Sequence, residues 1–242
     1  MRGRSKKAGD SHFRRMCRAS RSYLPLILLV ICFSAVAIPV YAAVSAERSL
    51  AGWLWLSSER PWGVVTSVVL HVDAPHLINN MTGLLMVTVI FGGVIQIYPS
   101  PVRRRWCVAF AILATAAAFI INAVEYLVIL SGYGLRTWGA SGMVYGATGV
   151  LLAAALKSMP AQVTRMVRKW RSGGGKRVLT ADIAERMLSG ISVVLVFIFL
   201  FSIFFDPDGF FGAGPGVNLF AHEMGFLTGF LSATLLGFLR GH

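Results

Sequence analysis

Six apolar stretches, most of them about 20 residues long, leave few architectures open to this chain. They cover residues 23–44, 77–98, 106–130, 141–156, 187–205 and 219–239, the fourth being the shortest. A bilayer core ~30 Å thick is crossed by roughly 20 apolar residues in a helix. Composition agrees: 56% of residues are hydrophobic and 14% charged, against about 25% charged in a soluble domain. The expectation is an all-α polytopic membrane protein, a six-helix core over residues 23–239 behind a basic tail at 1–22. No stretch reads as a separate soluble module. The segment 45–70 is semi-polar and carries Trp53, Trp55 and Trp62, which suits a first loop lying in the membrane interface.

Charge sets the direction of the spans. The net charge is +13, but the basic residues flank apolar spans instead of forming a face, so nucleic acid is not an expected partner. Eight Lys or Arg lie in the tail, three in 99–105, eight in 157–186 and one at the C-terminus. An even number of crossings puts all of these on one side, leaving Arg48, Arg60 and Arg136 on the other. By the positive-inside rule both termini are cytoplasmic, and spans two, four and six run inward from the outer face. The first 46 residues share features with a signal peptide. Their apolar run is about 22 residues, where a cleaved signal has 7–15, so it reads as a retained span. The basic connection 157–186 contains a Gly-Gly-Gly run and reads as a cytoplasmic loop with a flexible linker.

Polar side chains inside a span cost several kcal/mol unless partnered, which makes each a functional candidate. His71, His76 and Asn80 enter span two; Ser141 and Tyr145 open span four; His222 and Glu223 open span six; Asn122 and Glu125 lie near the end of span three. At about 1.5 Å per residue, Ser141 to Lys157, Asn80 to Tyr98 and His222 to Arg240 measure about 24, 27 and 27 Å. All three polar residues therefore sit a few ångströms below the outer boundary, in a shallow pocket open to external water. Ser141 is flanked by Gly139 and Gly142 at a helix start, where free N–H groups and the helix dipole favour a developing oxyanion. Ser141 as a simple N-cap, and Gly142, Gly146, Gly149, Gly225 and Gly229 as packing glycines, are the plainer alternatives. A serine and a histidine at one depth fit nucleophile and general base. No carboxylate is placed as a third member, since Glu223 points about 100° from His222 on its helix. A zinc protease needs His-Glu-x-x-His; Phe226 stands where the second histidine belongs, and no metal or other cofactor is expected. The cysteines Cys17, Cys32 and Cys107 suggest no disulfide framework.

The residues Pro61-Trp62, Thr66, His71, His76-Leu77, Asn80, Gly139-Ala140-Ser141-Gly142, Tyr145, Ala221-His222, Gly225 and Gly229 together resemble the rhomboid intramembrane serine proteases. The resemblance runs from about residue 60 to 229. It implies a six-helix rhomboid core with a Ser141–His222 dyad, Tyr145 stacked on His222, and an oxyanion site made by the Ser141 N–H with His76 and Asn80. Gly139, Gly142, His71 and Gly225 are supporting residues in this reading. Gly63 stands where the family commonly has arginine, and Gln96 replaces a usual glutamate. The implied activity is endoproteolysis of transmembrane or juxtamembrane segments, at the extracytoplasmic side of the plasma membrane. Substrates and the bilayer are then the partners, and the oligomeric state is left open. A silent relative that binds membrane clients without cutting them is the main alternative. A transporter is the other, disfavoured by the lack of inverted repeats and of polar residues in the inner halves of the spans.

Overall fold

The computed structural model describes residues 20–132, 138–171, 180–212 and 217–239. Most of the basic tail, Arg136, the glycine run at 173–175, Gly214, Pro215 and Arg240 lie outside them. The described residues are helical throughout apart from turns and one isolated bridge between Ser57 and Arg60. The long helices are α1 (Leu24–Ala46), α4 (Ala74–Val94), α5 (Ser100–Leu130), α6 (Ser141–Arg171), α7 (Thr180–Phe205) and α9 (Leu219–Leu239). Short helices α2 (Ala51–Leu54) and α3 (Gly63–Thr66) lie between α1 and α4, and α8 (Pro207–Phe211) lies between α7 and α9. Among the described residues five helices are long and apolar enough to cross a membrane, and Val193–Phe205 of α7 is a shorter apolar helix. The chain is an integral, multi-pass membrane protein.

Helix ends follow the sequence. Asp73 caps α4, its carboxylate accepting the His76 N–H at 2.7 Å, with Pro75 in the first turn. Asp206 caps α8 by accepting the Gly209 N–H at 3.0 Å, and Gly212, at φ +65°, ends it. Both are the short acidic caps that satisfy first-turn N–H groups. Several helices outrun their apolar stretches: α5 starts at Ser100, before its three arginines, α6 continues to Arg171, and α7 already starts at Thr180. Lys and Arg are good helix formers, so the membrane boundary need not end a helix. The connection expected over 157–186 is thus largely helical at both ends.

Helix α6 is the centre of the bundle. Of its apolar window 72% is buried, against 11% for α1, so α6 is wrapped by protein and α1 faces lipid. Ala147, Val150, Leu151 and Ala154 of α6 are fully buried with Phe110 and Ala114 of α5 and Phe91 of α4. Against α9 the contact is backbone to backbone. A Cβ on Gly225 would stand 2.7 Å from the Gly142 carbonyl oxygen, and one on Gly229 would collide with the Gly146 carbonyl. Small residues that let backbones touch are how helices associate where lipid is as apolar as leucine. At the end of the bundle away from Ser141, Lys157 Nζ donates to the Gly237 carbonyl and lies over the Trp106 ring.

The loop between α1 and α4 is held by specific bonds. Trp62 Nε1 donates to the Trp53 carbonyl at 2.8 Å, and Thr66 Oγ1 to the Leu54 carbonyl at 2.7 Å. Trp53 and Trp62 are nonetheless exposed, as suits rings at the headgroup level. The departure at Gly63 has a steric reason. A side chain there would meet Leu56 Cα at 2.5 Å and the Trp55 carbonyl at 2.7 Å, so an arginine does not fit this loop.

Candidate active site

The polar residues picked out above meet where α4, α6 and α9 begin. Ser141 is the first residue of α6 and only 8% exposed. Its first-turn N–H groups have no partner inside the helix. Gly139, at φ +105°, turns the chain into α6, and its N–H donates to the Ser67 carbonyl at 2.8 Å. A Cβ at this position would lie 2.6 Å from His76 Cε1, 2.8 Å from His76 Nε2 and 3.6 Å from Asn80 Nδ2. The imidazole of His76 and the amide of Asn80 are therefore packed against the turn two residues before Ser141.

His71 and Asn80 fix each other. His71 Nδ1 lies 3.2 Å from the Val69 carbonyl and Nε2 lies 3.0 Å from Asn80 Nδ2. A carbonyl can only accept, so Nδ1 carries the hydrogen and Nε2 accepts from the amide. Burial, and then the neighbouring His76, push the His71 pKa down to about 4, in keeping with a neutral acceptor. The His71 and His76 rings meet edge to face at 5.1 Å.

On the opposite side, the Tyr145 ring lies one turn along α6 from Ser141 and stacks on His222 at 4.3 Å and 23°. The same tautomer reasoning applies to His222. Its Nδ1 is 2.6 Å from the Phe211 carbonyl at the end of α8, so Nδ1 donates and a neutral ring keeps its lone pair on Nε2. Tyr145 Oη donates to the adjacent carbonyl, Phe210, at 2.8 Å. Two successive carbonyls of the short helix α8 thus hold the histidine and the tyrosine stacked on it. Among the described residues no direct hydrogen bond joins Ser141 to His222. What brings them together is the stack and the contact of Gly142 with Gly225.

Glu223 is exposed and turned away from this cluster. Glu125, 2% exposed, accepts a hydrogen bond from Asn218 Nδ2 and not from His222. Asn218, the Phe210 and Phe211 carbonyls and Ser67 were not picked out from the sequence. Asn218 carries a signal that was available, an asparagine one residue before an apolar run, which is an N-cap. Backbone carbonyls carry none.

A family model described as Rhomboid domain matches residues 58–238. No curated protein matches the chain. The family match covers well over half of the sequence and takes in every residue of the cluster, from His71 to His222; the chain belongs to the rhomboid family.

Proposed function

We propose that this membrane protein is an intramembrane serine endopeptidase in which Ser141 is the nucleophile and His222 the general base. The observation that carries the reading is the way His222 is held. With Nδ1–H given to the Phe211 carbonyl at 2.6 Å, the basic Nε2 is the nitrogen left for a serine. The ring is kept in place by Tyr145, which rises from the same helix as Ser141. A backbone carbonyl does here what a carboxylate does in a triad: it selects the tautomer and orients the ring.

In the reaction, Ser141 Oγ attacks the scissile carbonyl as its proton passes to His222 Nε2. The imidazolium then returns that proton to the leaving amine, and water hydrolyses the acyl-enzyme by the same route. The oxyanion is met by the Ser141 N–H at the positive end of α6, with His76 and the second hydrogen of the Asn80 amide. The first amide hydrogen is engaged by His71. Gly139 keeps the space between them clear of a side chain.

All six long helices cross the bilayer in this reading, with both termini cytoplasmic and the site opening to the extracytoplasmic side of the plasma membrane. Substrates are transmembrane or juxtamembrane segments. A helical substrate must unwind to present its carbonyl, because helical carbonyls are already bonded, so small or helix-breaking residues belong near the cut. Access runs laterally between α4 and α7, and α8 with Phe210 and Phe211 caps the site from the outside.

The test is cleavage of a transmembrane substrate by the protein in proteoliposomes. Ser141→Ala and His222→Ala should each lower the rate by on the order of 10⁴-fold or more with folding intact. Substrate capture without cleavage by the parent protein would mark it as a client-binding relative instead.

A further inference from the structure

Helix α5 contributes none of the groups assigned to the chemistry, yet two of its buried polar side chains reach both halves of the site. Asn122 and Glu125 are 5% and 2% exposed. Three residues apart, they share one face of the helix. Asn122 Nδ2 donates to Ser67 Oγ and to the Val64 carbonyl, each at 3.0 Å. Ser67 in turn takes the Gly139 N–H on its own carbonyl at 2.8 Å. That chain of contacts ends two residues before Ser141.

Glu125 reaches the other half. It accepts from Asn218 Nδ2, and Asn218 holds the start of α9 twice over. The side-chain oxygen of Asn218 accepts the Ala221 N–H at 3.1 Å, and its backbone carbonyl lies 3.4 Å from the His222 N. That second chain ends on His222 itself. Both links are hydrogen bonds in a buried setting, where an amide or carboxylate left without its partner is costly.

We infer that Glu125 is a positioning residue which, with Asn122, makes α5 a brace that fixes the distance between the turn before Ser141 and the first turn of α9. The inference rests on the dyad reading. It gives the buried acid a role as a hydrogen-bond acceptor for Asn218 and not as the third member of a triad. Catalysis is sensitive to such placement, since an error of about 1 Å can cost 10²-fold in rate.

The experiment compares Glu125→Leu, Glu125→Gln and Asn218→Ala with the parent in proteoliposomes, each well below its own unfolding temperature. It measures kcat and KM for a transmembrane substrate, and the rate at which a fluorophosphonate labels Ser141. Glu125→Leu and Asn218→Ala should each slow turnover and labelling by roughly 10- to 100-fold, with KM changed less than about threefold. Glu125→Gln keeps the acceptor and should restore both rates to within about threefold. Unchanged kcat in Glu125→Leu, losses confined to KM, or a Gln variant as slow as the Leu variant would each overturn the proposal. If Glu125→Leu does not fold, Asn218→Ala cuts the same link from the other side, and normal rates in it would be equally fatal. A Ser141→Ala control separates the two levels. Cleavage that persists in it removes the dyad reading itself, whereas Ser141-dependent cleavage with normal rates in the brace variants removes only the brace.

Discussion

Helices α6 and α9 meet backbone to backbone beside the turn that carries both proposed catalytic residues, and a single methyl group probes that contact. In Gly225→Ala the new Cβ would stand 2.7 Å from the Gly142 carbonyl oxygen and 3.2 Å from Gly142 Cα. Ordinary contacts of this kind begin near 3.5 Å. The oxygen is backbone and cannot rotate away, so the helices must move apart by about 0.8 Å. The displacement falls next to Ser141 in the chain and within a turn of His222. Overpacking of this size costs about 1–3 kcal/mol, which lowers stability without preventing folding. A displacement approaching 1 Å between nucleophile and base predicts a fall in kcat of roughly 10- to 100-fold. Initial cleavage rates in proteoliposomes, with thermal unfolding followed in parallel, measure both effects. Gly190→Ala on α7 is the control, because a Cβ there meets nothing within 4 Å; its rate should stay within about twofold of the parent. If Gly225→Ala keeps the parental kcat, the spacing of α6 and α9 does not set the catalytic geometry, and the reasoning fails.

Gly139→Ala adds a side chain at φ +105° and pushes it into the His76 ring 2.6 Å away. The backbone conformation alone costs about 1–3 kcal/mol, and cleavage should fall by at least 10-fold as the oxyanion donors move. Tyr145→Phe keeps the stack on His222 and loses only the bond to the Phe210 carbonyl, worth about 1 kcal/mol. Its kcat should drop by no more than about fivefold, and a larger loss would mean that the hydroxyl takes part in the chemistry. His71 gives a pH dependence. Its pKa is held down at about 4, against an ordinary value of 6.5, so the unfolded chain takes up the proton more readily than the folded one. Stability is full above pH 6.5 and declines as pH falls from 6.5 toward 4, by at most about 3 kcal/mol. Unfolding midpoints across that range should drop less steeply in His71→Gln than in the parent, and equal slopes would contradict the assignment.

Much of this could be read from residues in order, and what could not has a common cause. Apolar runs of bilayer length mark where helices cross, because the requirement is local: about 20 residues, no unpaired charge. Helix ends were less legible. Nothing in Lys157, Arg165 or Arg168 stops α6 at the membrane surface, and the helix continues to Arg171. The pairing of Glu125 with Asn218, 93 residues apart, follows only from where α5 and α9 pack. So does the use of the Phe210 and Phe211 carbonyls, since every residue has a carbonyl and the sequence marks none of them. Gly63 illustrates the reverse. It departs from a familiar motif for no reason visible in the sequence, and the backbone of Leu56 lying against it explains the missing side chain.

The account stands or falls on Ser141 being activated by His222, and covalent labelling reads this without any need to know the natural substrate. The parent protein in proteoliposomes would be treated with a fluorophosphonate, digested, and the adduct located by mass spectrometry. The expected result is a single adduct on Ser141 that vanishes in Ser141→Ala and forms on the order of 10³-fold more slowly or not at all in His222→Ala. An unlabelled Ser141 in folded protein, or labelling at the same rate without His222, would contradict the central claim.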